Sequence, residues 1–176
     1  MKKTIVYFFA LVFIYSCTPQ DAPNTFTDSR DGKVYKTVTI GEQVWMAENL
    51  AYLPSVVGPA TGSTTEPHYY VYGYIDDTPT VAEAKATTNY STYGVLYNWI
   101  VAMNGAASSS SSPSGVQGVC PDGWHLPSEA EWTTLINYLG ISVAGGKMKE
   151  AGTTHWLSPN TGATNESGFT GLPGGY

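Results

Sequence analysis

Cys120-Pro121-Asp122-Gly123-Trp124-His125-Leu126-Pro127-Ser128-Glu129-Ala130-Glu131-Trp132-Thr133-Thr134-Leu135-Ile136-Asn137-Tyr138-Leu139-Gly140 carries the best-marked helix of the chain. Ser128 and Glu131 have capping-box spacing. The Ser hydroxyl can accept from the Glu131 N–H while the Glu131 carboxylate reaches back to the Ser128 N–H. Pro127 biases Leu126 toward an extended backbone, which keeps the helix from starting earlier. Trp132, Leu135, Ile136 and Leu139 follow at i, i+3, i+4 and i+7, an apolar stripe that predicts core packing. Gly140 ends the run. Glu129 and Glu131 lie two apart, so they point in different directions, and both suit the helix N-terminus electrostatically.

Upstream, Asp31-Gly32-Lys33 opens a hairpin. Val34, Lys36, Val38 and Ile40 alternate with Tyr35, Thr37 and Thr39, Gly41-Glu42-Gln43 is the turn, and Val44-Trp45-Met46 starts the return strand. Residues 51–92 show little pattern. Their Tyr69, Tyr70, Tyr72 and Tyr74 fit either a short edge strand or an aromatic loop. Tyr93 to Met103 reads as one helix, with Leu96, Tyr97, Ile100 and Val101 at helical spacing and Asn104-Gly105 as its stop. Ala106 to Gly118 is a low-complexity insert with five serines, Ser108 to Ser112, expected to be a solvated spacer. Beyond Gly140, Gly145-Gly146 and Gly152 punctuate short segments around Trp156, the expected core residue there.

At the N-terminus, Lys2 and Lys3 precede the unbroken apolar run Ile5 to Tyr15. Eleven helical residues span about 17 Å, against roughly 30 Å for a hydrocarbon core. The run therefore has the length of a signal-peptide h-region. Ile14-Tyr15-Ser16-Cys17 resembles a bacterial lipobox. Met1–Ser16 is thus expected to be a lipoprotein signal peptide, with Cys17 as the lipid-attachment residue and the membrane reached through that lipid. Residues 17–27, with Pro19 and Pro23 and no apolar pattern, read as a polar tether. Residues 28–176 form one domain.

Loss of residues 1–16 removes Lys2 and Lys3 and no acid, leaving six basic against fourteen acidic residues. A chain this acidic has no electrostatic footprint for nucleic acid and no basic cluster for anionic head groups. Only 12% of residues are charged, whereas 13 Tyr and 5 Trp make it rich in aromatics, as suits a loop-rich exported domain. Once Cys17 is lipidated, Cys120 stands alone. That leaves a free thiol, buried or exposed, an intermolecular bridge, or a missing partner.

Five ordered blocks carry a family resemblance. They are Asp31–Tyr35 continuing through Trp45–Leu50, Tyr93–Trp99, Cys120–Trp132, Gly145–Glu150, and Asn165–Phe169 with Leu172–Tyr176. Over residues 28–176 the chain resembles the Fibrobacter succinogenes major paralogous domain, a family of exported proteins. Leu126–Trp132 is also similar to a helix start in formylglycine-generating-enzyme-like domains, which have a C-type-lectin-like fold. The resemblance implies an α+β fold of that kind, with two helices and short antiparallel strands. It further implies that family strands after Tyr176, and the disulfide partner of Cys120, are absent from this chain. A chain so shortened is expected not to fold stably alone.

No catalytic constellation is visible. His68, His125 and His155 lack metal-ligand spacing, and His125 reads as a structural histidine. Asp76-Asp77 has no EF-hand loop around it. No nucleophile elbow or phosphate loop occurs, and the catalytic cysteines of formylglycine-generating enzymes have no counterpart. No cofactor and no metal are expected. The expected function is a lipid-anchored surface binding or adhesion module at the outer membrane or cell surface. Its ligand would be a glycan or another envelope component, bound by stacking on Tyr and Trp. The rival readings are an enzyme-like domain with altered chemistry and a structural envelope protein.

Overall fold

The computed structural model of the chain describes residues 25–174; Met1–Ser16 and Cys17 lie outside them. The fold is a small α+β domain of antiparallel sheets and short helices. Its first sheet holds β1 (Thr25–Thr27), β2 (Val34–Ile40) and β3 (Gln43–Met46), in that order. Ile40 pairs with Gln43, so the hairpin loop is the two residues Gly41-Glu42, one shorter than the pattern suggested. The tether also ends earlier than expected. Thr25–Thr27 is a strand because Phe26 pairs with Tyr35 across the ladder and stacks on its ring at 5.2 Å.

Strand β2 uses both its faces. Tyr35 is fully buried, and its hydroxyl accepts from the Ala51 N–H at 2.9 Å. Ile40 and Val38, of opposite parity, enter a different core. That alternation follows from the two-residue period of a strand. Val34, free of any apolar cover, is exposed.

Among the described residues, five short helices stand in place of the expected two. Helices α1 (Val81–Lys85) and α2 (Thr88–Tyr93) lie in the stretch that showed little pattern, each started by a threonine cap, Thr80 and Thr87. Tyr93 to Met103 is not one helix. Gly94, at φ 70°, ends α2. Leu96–Tyr97 is then a strand, β5, pairing antiparallel with β4 (Tyr69–Tyr70). The Asn98 side chain accepts from the Val101 N–H and starts α3 (Trp99–Met103). A cap inside an apolar periodic run outcompetes the run's helical spacing. The tyrosine-rich segment resolves accordingly, with Tyr69 and Tyr70 in the strand and Tyr72 and Tyr74 in the following loop.

Helix α4 (Glu129–Leu139) has its full capping box. Its fully sunk line is Glu131, Leu135 and Leu139, at i, i+4 and i+8, with Trp132 half-buried beside it and Ile136 turned out to 36% exposure. Helix α5 (Ala144–Met148) contains Gly145 and Gly146 rather than breaking at them. The Thr164 N–H donates to the Gly146 carbonyl at 2.8 Å, so a second chain segment lies against that helix. Trp156 is half-buried and not a core residue. Its indole N–H donates to Gly171 O, and Lys149 lies 4.0 Å over its ring.

Two cores result. One gathers Leu53, Val56, Val71, Ala84 and Val95 under a ring of tyrosines. The other packs Ile40, Leu135, Leu139 and Ala144 with Trp45, Trp132 and Phe169. An ion pair with a buried carboxylate supports the start of the domain. Asp28, with no exposed surface, accepts from the Arg30 guanidinium at 2.7 Å, and Arg30 also donates to Val119 O and lies over Tyr52. Among the described residues no helix is long and apolar enough to cross a membrane.

The serine-rich insert is only partly a solvated spacer. Its second half turns inward, burying Ser114 and Val116. Val116 O accepts from the Leu126 N–H at 2.8 Å, and the Val119 N–H donates to Ala102 O at 3.0 Å. Between them Gly118 sits at φ 56°, where an added Cβ would lie 2.1 Å from Ala102 O. Gly118→Ala combines a left-handed backbone with a clash against main chain, and is expected to destabilise the domain by more than about 1 kcal/mol. Urea unfolding of the variant beside the parent chain measures this. An unchanged midpoint would show that the 114–119 turn is not built as described.

Candidate functional site

The candidate site follows from how α4 meets the β2–β3 hairpin. Gln43 donates through Nε2 to the Glu131 carbonyl at 3.1 Å, tying β3 to the first turn of α4. Beside that tie, Trp45 from β3 packs on Trp132 from α4, with ring centres 4.6 Å apart and planes at 39°. Phe169 meets both indoles edge-on, at 6.0 and 6.1 Å. These three rings floor an open cleft of about 690 Å³. Trp124 forms a further aromatic wall, and its ring lies tilted against Phe26 with centres 4.6 Å apart. A cavity of this size, mostly apolar with a few polar groups, suits a small molecule or a short polymer segment.

The polar groups of the cleft are anchored by Glu131. Its Oε1 pairs with His125 Nε2 at 2.7 Å. Its Oε2 accepts from the Ser128 N–H at 2.9 Å and from the Ser114 N–H at 3.1 Å. Burial alone would raise this carboxyl. The hydrogen bonds from Ser128, His125 and Ser114 outweigh burial and hold it below the usual carboxylate range. His125 therefore sits at the cleft as a partnered residue. Glu131 was legible as a capping residue. Its hold on Ser114, 17 residues upstream in a low-complexity loop, has no sequence signal.

The charge of the cleft is one-sided. Glu42, Glu48 and Glu131 line it together with His125, and among the described residues no Lys or Arg does. Cys120 lines it too and is a free thiol among the described residues. Burial pushes that thiol up to about 11, so it is neutral and weakly nucleophilic at ordinary pH. Two buried polar atoms on β3, Trp45 Nε1 and Gln43 Oε1, lack hydrogen-bond partners among the described residues.

The other residues singled out in the sequence do not join this site. His68 bonds Thr61 O and Tyr70, and His155 pairs with Glu150 at 2.8 Å beside a second, more polar cavity. Asp76 closes a local turn by accepting from the Thr78 N–H. Among the described residues no three His, Cys, Asp or Glu side chains converge on a metal position. Cys17 lies outside the described residues.

Fold and cleft thus define a small antiparallel α+β domain with an aromatic, acid-rimmed groove between a hairpin and a capped helix. The chain belongs to the Fibrobacter succinogenes major domain family, whose model matches residues 38–176. The match begins within β2 and takes in every wall of the cleft. No curated protein and no solved structure matches the chain.

Glu131→Gln tests the anchor. The substitution weakens one acceptor and sets an amide against backbone donors, at a cost of about 1–3 kcal/mol at pH 7. Because the native carboxyl lies below its ordinary value of 4.5, its stabilisation is complete above that value and is lost as pH falls through the lower folded pKa. The stability difference between parent and variant is therefore expected to be constant above about pH 5 and to shrink below pH 4.5. Urea midpoints across that range measure it. A difference that grows on acidification would contradict the assignment.

Proposed function

We propose that the chain is an exported, lipid-anchored surface module that binds its ligand in the cleft between β3 and α4. The observation that carries the reading is the cleft itself, about 690 Å³ with Trp45, Trp124, Trp132 and Phe169 in its walls. Aromatic faces held by mutual packing offer binding area at low entropic cost. Absence of cationic side chains from the lining favours an uncharged or cationic ligand over an anionic one. A neutral glycan or another envelope component fits that description. The proposal includes a C-type-lectin-like arrangement of the domain, supported by the Leu126–Trp132 motif and its capped helix.

Anchoring and binding are tested separately. Cys17→Ser is expected to move the protein from the membrane fraction to the soluble fraction and to abolish palmitate labelling. Retained labelling would end the lipoprotein reading. The same variant leaves Cys120 as the one thiol of the chain, a reporter inside the cleft. Its reaction with a thiol reagent is expected to be slow at pH 7 and to accelerate with pH up to about 11. Titration with a panel of neutral oligosaccharides and envelope peptides should protect it further in a saturable way for at least one member. If Cys120 reacts as fast as a free cysteine at pH 7, the cleft is not formed as described.

A further inference from the structure

The cleft has one wall that is main chain. Strand β3 pairs on one side with β2, and all of Gln43–Met46 lines the cleft on the other. Ile40 and Gln43 close a two-residue loop, so Gln43 and Trp45 direct their backbone groups toward β2. Val44 and Met46 then direct theirs outward. Among the described residues those outward groups have no hydrogen-bond partner. An unpaired edge is a template for another extended chain.

Three further observations lie along this edge. Trp45 Nε1 and Gln43 Oε1 are buried without partners on the same strand. Buried polar groups are normally satisfied, so two orphans on alternate residues of one strand face mark a wall that is incomplete as it stands. The floor beside the edge is apolar, made by Trp132 and Phe169. The rim is acidic, with exposed Glu42 at one end of β3 and, past the other, exposed Glu48, which accepts from the Lys36 N–H at 2.9 Å and lies 3.8 Å from the Lys36 ammonium.

Resting on the cleft as the binding site, we infer that its ligand is an extended polypeptide segment that adds to β3 as a further strand. Backbone hydrogen bonds to Val44 and Met46 hold it. Alternate side chains that face α4 are apolar and pack against Trp132 and Phe169, and Lys or Arg at the segment's ends meets Glu42 and Glu48. Strand addition of this kind takes its affinity from the ladder and its selectivity from the alternate side chains.

The test uses the full chain carrying Cys17→Ser and a fluorescent ten-residue peptide of alternating Val and Thr flanked by Lys. Saturable binding by fluorescence polarisation is expected. N-methylation of every second peptide nitrogen, on the edge that pairs with β3, should weaken binding by about tenfold while keeping every side chain. Exchange of the flanking Lys for Glu should weaken it similarly. Val44→Pro removes an outward N–H without touching the β2 ladder and should act like the N-methylated peptide. If that variant loses its fold by circular dichroism, the N-methylated peptide alone decides. No saturable binding, or equal binding of the N-methylated peptide, overturns strand addition. Concentration-dependent dimerisation blocked by Val44→Pro also overturns it, since a second copy would then be the occupant. If peptides fail but a neutral oligosaccharide protects Cys120, the cleft remains the binding site and only the strand is wrong. If nothing protects Cys120, both readings fall.

Discussion

The buried carboxylate of Glu131 is the constraint around which the cleft side of this domain is organised. One side chain caps its own helix through Ser128, grips the far end of a serine-rich loop through Ser114, and fixes His125. Its carbonyl holds the hairpin through Gln43. A buried charge is tolerable only when its oxygens are filled, and the donors here come from two segments, the Ser114 loop and the His125–Ser128 approach to the helix. Removal of the carboxylate would therefore loosen both segments together, which a solvent-exposed capping box would not do.

From that anchor the rest of the architecture follows by packing. Leu135 and Leu139 continue the Glu131 line down α4 and carry Ile40 and Ala144 into one core. Tyr35, on the opposite face of the same strand, locks the Leu50–Leu53 segment through the Ala51 N–H. Strand β2 thus buries side chains on both of its faces. Slippage by one residue would expose Tyr35 and Ile40 together, so the hairpin register is specified from both sides.

The elements legible in the sequence were those whose signals are local. The Ser128–Glu131 box, the Gly41-Glu42 turn region and the Asn104-Gly105 stop all appear where their residue types demand them. Tyr93 to Met103 misled because Leu96 and Tyr97 satisfy a helical spacing while their backbone pairs as a strand with Tyr70 and Tyr69, which leaves Leu96 exposed. The small helices after Thr80 and Thr87 lack an apolar stripe long enough to register. Within the cleft, Trp132 and His125 stood out by type and position. Gln43 and Phe169, and Ser114 behind Glu131, did not, because each acts through a partner far away in the chain, and distance along the sequence carries no local pattern.

The serine run has a consequence beyond its composition. Its entry is tied by the Ala106 N–H to Met103 O, and its exit by Ser114 to Glu131 and Leu126. Between these two moorings, residues 107–113 are mostly exposed. Doubling the length of such a loop adds only about 0.6 kcal/mol of closure entropy. This is the place where the domain can accept foreign sequence, such as a tag, an epitope or a natural length variation, without disturbing either core. The chemistry of the outer surface can diverge there while the cleft stays as it is.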